Sequence, residues 1–177
     1  MNDIYGFNSV SVLEIAITEP LSSLLVDLAR SAGKEVDVYL AEVLSEKVDP
    51  EKRIQIYLAL YIKFIREAKE FEEKGDLVQA SEKYWGAVTA LLNIVGEKKG
   101  IPHYTHRDYW EIMNHIIDET KDEALTELFA LAEKLHANFY HSFIPEHQFA
   151  IYSKKIKMLI EKLLRYLETI GVKVPKR

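Results

Sequence analysis

Two long helical repeats of apolar residues, separated by only two residues, constrain this chain more than any other feature. From Pro50 to Lys74 the apolar positions Ile54, Tyr57, Leu58, Tyr61, Ile65, Ala68 and Phe71 keep helical spacing. Gly75 stops the repeat, and Asp76 is placed to cap a second one from Leu77 to Lys98. A connection that short makes the two helices antiparallel neighbours. Asp49-Pro50-Glu51 is the start signal of the first: an N-cap acid, a proline where no amide hydrogen is needed, and an acid in the first turn. Downstream, Thr105 with Asp108 resembles a capping box with Asp in the place of Glu, opening a helix to Asp118. Further helices are expected over 121–140 and, from Pro145, over 146–170 to a stop at Gly171.

These segments predict an all-α fold, an antiparallel helical bundle in residues 49–177. The chain is 48% hydrophobic with only 7 Gly in 177 residues, so it buries a real core and is not a disordered chain. There is no Cys, which removes disulfides, thiolate metal sites and Cys nucleophiles and suits a reducing, cytoplasmic location. No apolar run approaches the ~20 residues that span a bilayer. MNDIYGFNSV has neither a basic n-region nor an apolar h-region, so no secretory leader is expected.

Residues 1–48 form a separate N-terminal extension. SVSVLEIAI (9–17) is β-branched and apolar enough for one short strand, which needs a partner for its backbone groups. Thr18-Glu19-Pro20 then opens a helix, with Thr18 as the N-cap and Leu21, Leu24, Leu25 and Leu28 on one face, ended by Gly33. Val36–Glu46 reads as a second short helix with Val36, Tyr39, Leu40, Val43 and Leu44 inward. Strand, helix, turn, helix is also the ribbon-helix-helix order, whose strand reads DNA in the major groove. The extension, however, holds eight acids against three bases, a net of −5, and its strand has one acid and no base. Duplex binding needs several Lys or Arg against phosphates, so the extension is expected to dimerise or dock, not to read DNA. The tail 154–177 carries eight bases against two acids.

Few residues invite chemistry. GDLVQASEKYWGAV (75–88) puts Gly86 in mid-helix, at a cost of about 1 kcal/mol against Ala. Either Ala80, Gly86 and Ala90 mark a close helix crossing with Trp85 as a core anchor, or Gln79, Glu82 and Lys83 line a polar pocket. His103 and His106 form a His-x2-His in a loop, a weak zinc pattern without further ligands at the usual spacing. His115 reads as a half-buried helix histidine. No metal or cofactor is expected, and no Gly-rich phosphate loop or HExxH is present. LHANFYH (135–141) holds His136 and His141, but at about 100° per residue the two rings are about 140° apart on a helix. His136 shares a face with Tyr140, and Asn138 with His141, so packing, binding and catalysis all remain open for this stretch.

The run VDPEKRIQIYLALYIKFIREAKEFEEKGDLVQASEKYWGAVTALLNIVGEKKG, followed by LAEKLHANFY, resembles the archaeal PaREP family over residues ~36–165. GDLVQASEKYWGA and LHANFY are its specific words. That family is grouped with the HEPN helical domains, so the resemblance implies a HEPN-like bundle, usually a homodimer. Some HEPN domains are metal-independent RNases; others are non-catalytic partners of small nucleotidyltransferases in toxin–antitoxin pairs. The RNase signature is an Arg, four to six residues, then His. His141 falls on its His, His136 falls where the Arg stands, and Lys134 is the other cation in range. Arg offers a phosphate a planar, permanent charge that histidine does not. The expected function is therefore a non-catalytic binding module for a protein partner or RNA, using Asn138, Tyr140, Gln79, Glu82, Lys83 and Trp85. The alternative is a degenerate metal-independent RNase with His136, His141 and Lys134 as its catalytic candidates.

Overall fold

A computed structural model describes residues 14–174, and they hold seven helices and no strand. The chain divides into two units, one of residues 1–49 with 174–177, which contains the extension, and the other of Pro50–Lys173.

In the extension, α1 (Leu21–Ser31) and α2 (Val36–Ser45) form where their apolar spacing predicts. Three expectations change. Residues 14–17, the described part of the expected strand, are not strand, and its other residues lie outside the described ones. A ladder needs a neighbour, and these described residues have none. The Thr18 hydroxyl does not cap α1; its carbonyl accepts from the amides of Leu21 and Ser22 at 3.1 and 3.3 Å instead. Leu21, Leu24, Leu28, Val36, Val43 and Leu44 are exposed, not inward. Helices of 11 and 10 residues make one layer, and one layer covers only one side of itself. Lys34, in the turn between the helices, donates to Glu42 of α2 at 2.7 Å.

In the second unit, α3 (Pro50–Glu73) and α4 (Leu77–Lys99) are the expected hairpin. Gly75 takes the left-handed conformation (φ +76°) that a side chain resists, which lets the Asp76 amide reach back to the Phe71 carbonyl at 2.9 Å. The Asp76 carboxylate then accepts the Gln79 amide at 3.1 Å and starts α4. Helix α5 (His106–Thr120) opens on the Thr105/Asp108 capping box. Helix α6 (Ala124–His141) starts later than expected, because left-handed Lys121 first closes α5. Helix α7 is Glu146–Thr169.

Helix α4 lies at the centre, packed against α3, α5, α6 and α7. Ala80, Tyr84, Ala87, Val88, Leu91, Leu92, Ile94 and Val95 are all fully buried and form one broad face of the helix. Small residues let the neighbours approach. A Cβ on Gly86 would stand 3.0 Å from the Phe64 ring of α3, so the close crossing inferred for Gly86 is made against a side chain. A Cβ on Gly96 would stand 2.6 Å from His103 Nδ1. No described helix is long and apolar enough to cross a membrane.

One polar knot ties the hairpin to α7. Glu72 accepts from Tyr84 Oη (2.5 Å), Ser153 Oγ (3.1 Å) and Lys157 Nζ (2.9 Å). Burial pushes its carboxyl up, but these donors outweigh burial and hold it below its usual 4.5. A lowered carboxyl stabilises the fold above its unfolded value, and that contribution is lost as pH falls through the folded value. Stability should therefore drop as pH falls below about 4.5, and Glu72→Gln should flatten that part of the profile. Thermal melts at stepped pH check this; an unchanged acid limb in the variant would contradict it.

Candidate functional site

Helices α4, α5 and α6 meet around one indole. Trp85 of α4 is only 6% exposed. His136 of α6 stacks on it with ring centroids 4.9 Å apart and planes 24° from parallel. His106, the first residue of α5, stacks on it at 5.2 Å and 10°. Phe129 packs at 5.9 Å and 28°, and Tyr109 presents an edge at 5.9 Å. The two imidazole centroids are 5.3 Å apart, so the histidines are neighbours, not rings on opposite faces of the indole.

Local sequence places each piece. Glu82 and Trp85 are one turn apart on α4. Phe129, Glu133, His136 and Tyr140 follow 4, 3 and 4 spacing and share a face of α6. His106 is set by the capping box just before it. There the Asp108 carboxylate accepts the Tyr104 and Thr105 amides at 3.0 and 2.9 Å. The Tyr104 amide above all holds that carboxyl below its ordinary value, and Thr105 helps it to outweigh the opposing effect of burial.

Each imidazole has its own carboxylate. His136 Nδ1 meets Glu82 Oε2 at 2.7 Å, and His106 Nδ1 meets Glu133 Oε1 at 3.3 Å. Trp110 Nε1 donates to the other Glu133 oxygen at 2.9 Å and fixes that carboxylate. An ionised carboxylate only accepts, so the Nδ1 atoms carry the protons and the neutral rings keep bare Nε2 acceptors. Neither Nε2 has a hydrogen-bond partner among the described residues. His106 is 55% and His136 17% exposed, so solvent reaches the pair. Two acceptors that become donors on protonation can hold a polar group or exchange protons with it. Among the described residues no group of three or more His, Asp or Glu could hold a metal ion.

The structure brings together Trp85, Glu82, His136 and Tyr140, whose edge lies 5.1 Å from His136. It turns the other expected residues elsewhere. Lys83 pairs with Glu67 at 2.8 Å and lies over the Phe64 ring of α3. Asn138 is buried; its carboxamide oxygen accepts the amides of Phe143 and Ile144 at 2.9 and 2.8 Å and closes the end of α6. Gln79 contributes its amide to the α4 cap. Lys134 reaches Tyr152 of α7 at 3.3 Å. His141 is exposed, and no hydrogen bond or ring contact joins it to His136. The His103–His106 pair also separates. His103 is buried against Tyr57 and 3.3 Å from Glu97, while His106 goes to Trp85. His106, Tyr109, Trp110 and Glu133 are the members that sequence reasoning missed.

The sequence model of the archaeal PaREP1/PaREP8 family matches residues 56–160, from within α3 to within α7. The match includes every residue of the cluster. No curated protein and no solved structure matches the chain.

The stacked rings give an optical handle on the site. With Trp110→Phe leaving Trp85 as the single indole, its emission should shift when His106 and His136 are both replaced by Ala, because the two rings stacked on it are then gone. Unchanged emission in the double replacement would contradict the stacking.

Proposed function

This chain belongs to the archaeal PaREP1/PaREP8 family, and on that footing we propose that it is a cytoplasmic, HEPN-like, homodimeric binding module without catalytic activity, whose α4–α5–α6 face takes a protein partner. One observation carries the reading: two carboxylate-held imidazoles, each with an Nε2 that has no partner among the described residues, on a nearly buried tryptophan. Tyr140, 66% exposed, stands beside them. Aromatic anchors with a few fixed polar atoms suit a protein interface. The nearby charge favours protein over RNA, since Glu82 and Glu133 hold the rings while Arg107 is paired with Glu111 at 3.0 Å. Phosphate backbones call for unpaired Lys and Arg. The resemblance to HEPN domains makes a small nucleotidyltransferase the first partner to test.

The degenerate RNase built on His136, His141 and Lys134 loses support, because those three side chains go to three different neighbours. One distance favours a different acid–base pair. His106 stands 5.3 Å from His136, and a neutral and a protonated imidazole can together move a proton from a ribose hydroxyl and to a leaving oxygen. RNA cleavage by this pair is the second reading.

Affinity purification from the native host, with mass spectrometry of bound protein and sequencing of bound RNA, tests both. A protein partner should co-purify and be lost with His106→Ala or Tyr140→Ala, while His141→Ala retains it. Recovery of RNA without protein would overturn the choice of partner. Wild-type cleavage of RNA that His106→Ala abolishes and His141→Ala leaves intact would establish the second reading and overturn the first.

A further inference from the structure

Both imidazoles on Trp85 have the carboxylate-backed form in which histidine binds metal. Nδ1 of His136 is given to Glu82 Oε2 at 2.7 Å, and Nδ1 of His106 to Glu133 Oε1 at 3.3 Å. Metal-ligating histidines are built this way: the other ring nitrogen donates to a carboxylate, which fixes the tautomer and makes the ligating nitrogen more basic. We infer that Nε2 of His106 and Nε2 of His136 together take one divalent transition-metal ion of the zinc, nickel or copper class.

The separation of the rings fits one shared ion. Their centroids are 5.3 Å apart. Two imidazoles that hold one ion through Nε2, with metal–nitrogen bonds of about 2.0–2.1 Å at a tetrahedral angle, have centroids roughly 5 Å apart. The charge fits as well. Glu82 and Glu133 stand one behind each ring and offset the charge of a divalent cation, and Trp110 Nε1 holds Glu133 in place at 2.9 Å. Arg107, next to His106, is paired with Glu111 at 3.0 Å. Both rings lie on the Trp85 indole, at 5.2 and 4.9 Å, which limits their rotation. Neither Nε2 has a hydrogen-bond partner among the described residues, and His106 is 55% exposed, so an ion in solution reaches the pair. The donor type selects the metal. Neutral imidazole suits zinc, copper and nickel, whereas magnesium and calcium take oxygen ligands. No third His, Asp or Glu among the described residues completes a set. The remaining positions of a tetrahedral ion therefore go to water or to a side chain of a partner.

The inference concerns the same site as the binding role proposed above but does not rest on a partner, and it is tested without one. Zinc chloride is the probe, on the untagged full chain. Calorimetry should show one zinc bound per chain, undisturbed by excess magnesium. His106→Ala or His136→Ala should lose that binding, and His141→Ala should retain it. Glu82→Gln keeps an acceptor for His136 Nδ1 but removes the charge, and should weaken zinc binding about 10–100-fold. Proton–nitrogen NMR of the intact chain needs no variant: zinc should shift Nε2 of both His106 and His136 and leave both Nδ1–H protons in place. No zinc binding, zinc shifts confined to other histidines, or equal binding by the wild type and both alanine variants would overturn the inference. Zinc binding by a chain that captures no protein would uphold it and sink the functional proposal alone. A captured partner on a chain that binds no zinc would sink this inference alone.

Discussion

Helix α4 touches α3, α5, α6 and α7, and its side chains have to satisfy four neighbours at once. This explains its composition. Alanines and glycines stand where a neighbour comes close, as Gly86 does under Phe64 and Gly96 under His103. Branched aliphatics fill the spaces between. Its few large polar side chains each need a defined partner on a particular neighbour. Lys83 goes to Glu67 on α3, Glu82 to His136 on α6, and Tyr84 to Glu72 on α3. Trp85 is the large side chain of α4 that packs between α5 and α6 against two stacked imidazoles, and the candidate site is the consequence of that packing.

Carboxylates recur wherever a polar group enters the helix contacts. Glu97 lies 2.9 Å from Arg53 and 3.3 Å from His103. Glu119 accepts from Lys99 and Tyr166, both at 2.7 Å. Lys99 first, then Tyr166, holds that carboxyl below its ordinary value, while burial first and Glu119 second push the Tyr166 hydroxyl well above its own. Breaking one partner of such a pair leaves the other stranded, so these contacts fix which helix faces which. Glu82 and Glu133 do the same at the site, with one difference: their imidazoles are reachable from solvent and keep a second nitrogen that has no partner among the described residues.

The helices were legible in the sequence because their signals are local. Asp76, the Thr105/Asp108 box and the 3–4 spacing act within one or two turns. The offset between His136 and His141 was legible for the same reason. The site was not. His106 reaches Trp85 and His136 from 21 and 30 residues away, and nothing within one turn distinguishes it from His103. Burial separates those two: His103 turns inward to Tyr57 and Glu97, and His106 turns to the indole. Asn138 looked like a ligand-binding group because its polarity is visible in sequence, whereas its two acceptor contacts depend on how the chain turns after α6. The extension failed differently. Its helices form as their spacing predicts, but spacing identifies an apolar face without saying what covers it.

The central claim is that two imidazoles on Trp85 are each held by a carboxylate at Nδ1 and keep Nε2 for a ligand. Long-range proton–nitrogen NMR of the histidine rings tests it most directly, because it reports which nitrogen carries the proton. At a pH where the rings are neutral, His106 and His136 should both be Nδ1–H tautomers, and Glu82→Ala should release His136 alone from that form. Nε2–H tautomers at both residues in the intact protein would contradict the account.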